Sequence, residues 1–188
     1  MRAAEIALEH PTETFLLHVD EINRADLAKI LGEAIFLLES QADEKRELDL
    51  AYDFGPPFGN RFSLPENLHI LGTMNSADRS IAIVDVAVRR RFAFVKLWPQ
   101  LSVVAEHGGP LMQDAFQQLM EIFVDHASED AFPLAPGHSY FLEKDDRKAA
   151  RSLKVTLVPL LQEYLSQGYV ATFSDSIRAY LQWLEALE

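Results

Sequence analysis

The sequence contains no cysteine, which removes disulfides, thiolate zinc sites and cysteine nucleophiles and is compatible with a reducing compartment. Positive charge is scarce as well. Against 29 Asp+Glu there are 17 Lys+Arg, a formal net charge of −12 over 188 residues, which argues against a generic binder of nucleic acid or of an anionic membrane. No apolar run approaches the roughly 18 residues needed to cross a bilayer. The opening stretch places Glu5 and Glu9 where a signal peptide needs an apolar segment. Internal repeats and low-complexity segments are lacking too. Together these absences predict a soluble, cytoplasmic protein without membrane contact. The 48% hydrophobic content places the chain among globular proteins, as one domain or a domain with a small appendage.

Thr14 to Val19 is a short apolar run ending abruptly in Asp20-Glu21, the pattern of a buried strand with acids at its C-terminal end. Apolar residues at Leu27, Ile30, Leu31, Ala34, Ile35 and Leu38 then predict an amphipathic helix from Asp26 to about Glu39. Ser40 to Pro65, charged and then rich in Gly and Pro, reads as an exposed loop or hairpin. A second apolar run, Leu68 to Thr73, again ends in polar residues, Asn75 and Asp78-Arg79. Ser80 to Val88 is rich in β-branched residues and ambiguous by periodicity, and Phe92 to Val95 predicts a third strand. Beyond Gly108-Gly109-Pro110 the pattern turns helical: an amphipathic helix over 111–123, a second from Asp146 to Gln167 that Pro159 should kink or divide, and a third from Ser174 to Leu187.

A strand that delivers two adjacent carboxylates at its C-terminal end puts them where open α/β sheets bind ligands. One can hold a hydrated magnesium ion through oxygen while the other polarises water for attack on a phosphate; by themselves the same acids also suit a solvated turn at a helix N-terminus. Asn75 both donates and accepts, so it can contact a terminal phosphate or orient water, or simply make a local turn. Arg89-Arg90-Arg91 offers planar donors for phosphate oxygens, or a basic patch at a helix C-terminus.

Three stretches in this order, Val19-Asp20-Glu21-Ile22-Asn23-Arg24, then Gly72-Thr73-Met74-Asn75-Ser76-Ala77-Asp78-Arg79-Ser80, then Arg89-Arg90-Arg91-Phe92, resemble the AAA+ domain of the McrB family, the NTP-driven motor of methyl-directed restriction systems. Gly137-His138-Ser139-Tyr140-Phe141 and Val158-Pro159-Leu160-Leu161-Gln162-Glu163-Tyr164 extend the resemblance into the lid region, so that it covers Phe15 to about Leu165. The resemblance implies an α/β fold: part of a three-layer α/β/α P-loop NTPase sheet over residues 1–98, followed by a mainly helical lid over 99–188. It also makes Ser80 to Val88 helical. Asp20 then matches the Walker B magnesium acid, and Glu21 the water-activating acid. Asn75 falls at sensor 1, within a signature that includes the nucleotide-contacting Asp78 and Arg79, and Arg89, Arg90 or Arg91 supplies the finger that reaches a neighbouring subunit's site. The implied cofactors are Mg2+ with ATP or GTP. The implied partners are further copies in a homo-oligomeric ring, an McrC-like nuclease subunit, and DNA reached through another domain or subunit.

The departure from the family is the Walker A loop. Its Gly-x-x-x-x-Gly-Lys-Ser/Thr cradles the β- and γ-phosphates, and no Gly-Lys pair occurs in this sequence. The expectation is therefore the C-terminal part of a motor domain, inactive alone and with apolar sheet surface left uncovered, or else a non-catalytic or split module that assembles with a partner supplying Walker A. His18 and His69, within apolar runs, are expected on the sheet face or in the core rather than at a metal. His138 is open to either a lid contact or turn packing. Phe116, Phe123, Tyr140, Tyr164, Tyr169 and Trp183 are expected as lid core.

Overall fold

In the computed structural model, residues 1–26, 29, 32–38, 46–75 and 86–187 are described. They form a mixed α/β chain, mostly helical with a small parallel sheet, that divides into two compact units, Met1–Val95 and Lys96–Glu188.

The first unit opens with α1 (Arg2–Glu9), an element the sequence reading did not anticipate; it buries Ala4 and Ala7. Strand β1 (Phe15–Val19) pairs in parallel with β4 (Leu68–Gly72), in the register Phe15 to Leu68 through Val19 to Gly72. Asn67 fixes the start of this pair. Its backbone carbonyl accepts from the Phe15 amide at 2.8 Å, while its Nδ2 donates to the carbonyls of Ala7, His10 and Glu13 at 2.9, 3.1 and 2.8 Å. Between the paired strands lies a short antiparallel hairpin, β2 (Leu48–Asp49) with β3 (Arg61–Phe62), in the stretch read as a loop or hairpin.

Several expectations need correction here. The paired strands are not buried: Leu16 of β1 is 61% and Leu71 of β4 49% exposed. Because side chains alternate along a strand and paired residues share a side, Leu16, His18, His69 and Leu71 lie on one face, all exposed. His18 and His69 are thus sheet-face rather than core residues. Gly32–Leu38 forms a 3-10 turn instead of the second half of an α-helix. Gly32, at φ +50°, takes the left-handed conformation at little steric cost; residues 27, 28, 30, 31 and 39 of the expected helix lie outside the described residues. Phe92 to Val95 forms no strand. Val95 is 81% exposed, and β propensity without a neighbouring edge to pair with does not make a ladder. Of the ambiguous Ser80 to Val88 stretch, residues 80–85 lie outside the described residues, while α2 (Val86–Arg89) is helical.

The second unit holds most of the described core. Its helices are α3 (Leu101–His107), missed in the sequence, α4 (Pro110–His126), α5 (Asp146–Ser166) and α6 (Ser174–Ala186). Pro110 occupies the first turn of α4, where its missing N–H costs nothing. Asp145 caps α5, its carboxylate accepting from the Arg147 and Lys148 amides at 3.0 and 3.4 Å. Pro159 lies within α5 without dividing it. The Gly108-Gly109 pair is required by close backbone approach: a Cβ at Gly108 would collide with the Phe141 carbonyl oxygen, and one at Gly109 meets that of Lys144 at 2.6 Å. Phe123, Phe141, Met112, Leu119, Leu153, Leu157, Leu161, Ile177 and Leu184 are fully buried. Edge-on ring pairs, Phe116 with Phe141 at 5.3 Å and Phe123 with Phe173 at 5.4 Å, tie this core together. Of the aromatics expected in the lid core, Phe116 and Phe123 are buried, whereas Tyr140, Tyr164, Tyr169 and Trp183 are only half-buried.

Two tyrosines make this unit sensitive to alkali. Burial, and then the charge of Asp114, push the Tyr180 hydroxyl well above its ordinary range, and that hydroxyl donates to the Ala115 carbonyl at 2.8 Å. Tyr164 is raised from 10.0 to about 12, chiefly by burial and then by Tyr140, Glu163 and Tyr169. A folded-state pKa above the unfolded one contributes stability that is complete below the unfolded pKa and lost as pH rises toward the folded one. Melting temperature followed by circular dichroism should therefore hold level to about pH 10 and fall from there toward pH 12, and Tyr164→Phe should remove part of that fall. A profile equally flat in both proteins contradicts this.

Candidate functional site

The parallel register of β1 and β4 brings the ends of the two apolar runs side by side. Asp20 and Glu21 leave the sheet from the same end as Thr73, Met74 and Asn75. That end is the C-terminal edge of two parallel strands, the usual location of a ligand site in an open α/β sheet.

Thr73 makes the connection. Its amide donates to the Val19 carbonyl at 3.0 Å, and its own carbonyl accepts from the Ile22 amide at 2.9 Å. Its hydroxyl donates to Asp20 Oδ1 and accepts from the Glu21 amide at 3.2 Å. Gly72 admits the other side of the turn, because a Cβ there meets Ile22 Cδ1 at 2.8 Å and Ile22 Cβ at 3.2 Å.

Glu21 is the single described non-glycine residue with positive φ, at 49° with ψ 49°. A side chain rarely adopts this conformation, and the surroundings must hold it there. Its carboxylate pairs with Arg24 three residues on, in the following 3-10 turn Ile22–Arg24. Both side chains are substantially exposed, at 41% and 64%, so the pair adds little stability and can open readily. Asn23 behind them is buried, and its Oδ1 meets no donor among the described residues.

Asp20 is exposed, with one carboxylate oxygen taken by Thr73. No group of three or more His, Asp or Glu residues suited to hold a metal occurs among the described residues. A lone carboxylate fits magnesium in particular, since that ion keeps several waters and binds through one or two carboxylates together with substrate phosphates.

Asn75 is exposed just beyond Thr73. Asp78 and Arg79 lie outside the described residues. In the arginine cluster, Arg89 and Arg90 are exposed at the end of α2, with the Arg89 guanidinium 5.5 Å over the Phe94 ring. Arg91 is half-buried, and its Nη1 donates to the Ala87 carbonyl, closing its own helix. In the second unit, His138 heads the 3-10 turn His138–Phe141 with Nδ1 buried. Thr73 and Arg24 were missed as site residues by sequence reasoning. Both stand inside stretches that carry the resemblance, so their position was available although their contacts were not.

No protein-family model matches the chain. Among curated proteins it is 33% identical over 177 residues to the type IV methyl-directed restriction enzyme EcoKMcrB subunit of Escherichia coli K12, covering 84% of this chain and 38% of that subunit. It is 34% identical over 98 residues to the type II restriction enzyme BsuMI component YdiS of Bacillus subtilis 168, covering 47% of this chain and 28% of that protein. The chain thus spans well under half the length of either relative. Both relatives are named as components of restriction enzymes. On this similarity, which takes in 84% of its residues, the chain is an McrB-like protein. Among the described residues, no helix is long and apolar enough to cross a membrane.

Proposed function

We propose that this chain is the C-terminal part of an McrB-like AAA+ NTPase, carrying the Walker B, sensor 1 and arginine-finger elements and the helical lid of a motor that hydrolyses ATP or GTP during DNA restriction. The observation that carries the reading is the juxtaposition of Asp20-Glu21 with Thr73 to Asn75 at one end of two parallel strands. Asp20 would hold a magnesium ion, which when bound neutralises phosphate charge. Glu21, released from Arg24, accepts a proton from water as that water's oxygen bonds to the γ-phosphorus, and the bond from that phosphorus to the bridging oxygen of the nucleoside diphosphate breaks. Asn75 orients the water or the terminal phosphate. An arginine from a neighbouring copy, Arg89 or Arg90 by its exposure, stabilises the charge that develops on the transferring group. In this reading Asp78 and Arg79 contact nucleotide, the copies form a ring, and an McrC-like nuclease subunit and a separate DNA-reading domain complete the restriction machine.

A second reading has its own support. With no Gly-Lys pair in the sequence and Leu16 and Leu71 bare on the sheet, the chain also fits a split or non-catalytic module whose Walker A half comes from a partner. The test uses the protein with a P-loop segment supplied, on the same polypeptide or in trans. There, Asp20→Asn should raise the magnesium needed for half-maximal hydrolysis by more than the roughly 10-fold that even outer-shell changes cost. An unchanged magnesium requirement overturns the role given to Asp20, and absence of hydrolysis in the parent protein favours the non-catalytic module.

A further inference from the structure

We infer that Thr73 is the positioning residue of this site: its side-chain hydroxyl holds Asp20 and Glu21 in their working geometry and couples them to the strand that carries Asn75. The inference rests on the reading of Asp20 and Glu21 as hydrolytic carboxylates, and it assigns a role to a residue that the sequence motifs leave unassigned.

Val19, Asp20, Glu21 and Ile22, four residues in succession, are each hydrogen-bonded to Thr73. Two of these bonds, to the Val19 carbonyl and from the Ile22 amide, use only the Thr73 backbone; they extend the β1–β4 pairing past the end of the strands and exist whatever the side chain. The other two use the hydroxyl, and they go to the two carboxylate residues.

A hydroxyl has one proton to give and two lone pairs to receive. Thr73 spends the proton on Asp20 Oδ1 and receives the Glu21 amide, so the two bonds are compatible and each fixes the direction of the other. On Asp20 the effect is to orient the carboxylate, with one oxygen engaged and the second turned to other ligands. On Glu21 the bond falls at the amide of the residue held at φ 49°. Left-handed backbone at a non-glycine residue persists only where neighbouring contacts over-determine it, and the Thr73 hydroxyl together with the Ile22 amide bond brackets this residue on both sides. The direction in which the Glu21 side chain leaves the backbone follows from that conformation. Asn75 is two residues further along the same strand end, so movement there is passed to the carboxylates through Thr73.

The two kinds of bond can be separated by mutation. Thr73→Val keeps the shape, the β-branching and both backbone bonds but loses both hydroxyl bonds; Thr73→Ala also lacks the hydroxyl, and Thr73→Ser retains it. In the protein supplied with its P-loop, Val and Ala should lower kcat about 10- to 100-fold, the range seen when outer-shell partners are removed, with the nucleotide KM unchanged. Ser should recover most of the rate. In the 188-residue chain itself, hydrogen exchange at the Glu21 amide, followed by NMR, should quicken in Val and Ala and stay slow in Ser. A Thr73→Val protein with parental kcat and parental Glu21 exchange overturns the inference, as does a Ser variant as impaired as Val and Ala. The carboxylate reading fails separately, if Glu21→Gln retains hydrolysis. In that event the exchange measurement still decides whether the hydroxyl holds the turn.

Discussion

Glu21→Gln, in the protein supplied with its P-loop, should abolish multiple turnover while leaving nucleotide bound. The amide keeps the size and the hydrogen-bonding reach of the carboxylate but is not a base, and removing a positioned general base costs about 10²- to 10⁴-fold. In the proposed function binding is spared, because there a P-loop would grip the phosphates and Asp20 would hold the metal ion. The structure adds a second expectation. Glu21 is paired with Arg24, and that pair weakens when the carboxylate becomes an amide, yet both side chains are exposed enough that the fold should be unaffected. Phosphate release and nucleotide binding measured on the same preparation separate these effects. Undiminished release with normal binding removes Glu21 from the chemistry.

The largest effect on stability should come from Phe123→Ala. Phe123 is fully buried in α4, with its ring 5.4 Å from that of Phe173. Truncation at such a site costs about 3–5 kcal/mol through lost burial and the cavity left behind. A single domain holds only about 5–15 kcal/mol in total, so the unit Lys96–Glu188 should melt far lower or fail to fold. Chemical denaturation followed by helical circular dichroism reads this directly. The surface change Val155→Ala, at a side chain 65% exposed on α5, serves as the comparison and should fall within about 0.5 kcal/mol of the parent. Equal midpoints for the two variants contradict the assignment of Phe123 to the core.

How much of this was legible in the sequence depends on whether the information was local. The helices α4, α5 and α6 were visible because their apolar residues recur at helical spacing, and β1 and β4 because short apolar runs end sharply in polar residues. The carboxylate pair and Asn75 were visible for the same reason, as polar punctuation at strand ends. The Thr73 hydroxyl was not, since its bond with Glu21 joins residues 52 apart and exists only in the one register that sets Val19 against Gly72. Phe92 to Val95 misled because residue preference says nothing about whether an edge is present to pair with. Gly32–Leu38 was misread because Gly32 looks like any tolerated helical glycine until its backbone turns left-handed. Leu101–His107 was overlooked as a short helix lying between a proline and a glycine pair.

The measurement that bears most directly on the account is magnesium-dependent phosphate release from ATP and from GTP by this chain mixed with a P-loop-bearing segment of an McrB-like protein, beside each component alone. Release is expected only from the mixture, and it should be lost when the chain added is the Glu21→Gln variant. A mixture that forms and binds nucleotide yet releases no phosphate, or releases it equally with Glu21→Gln, contradicts the claim that the end of the β1–β4 pair is the hydrolytic half of a nucleotide site.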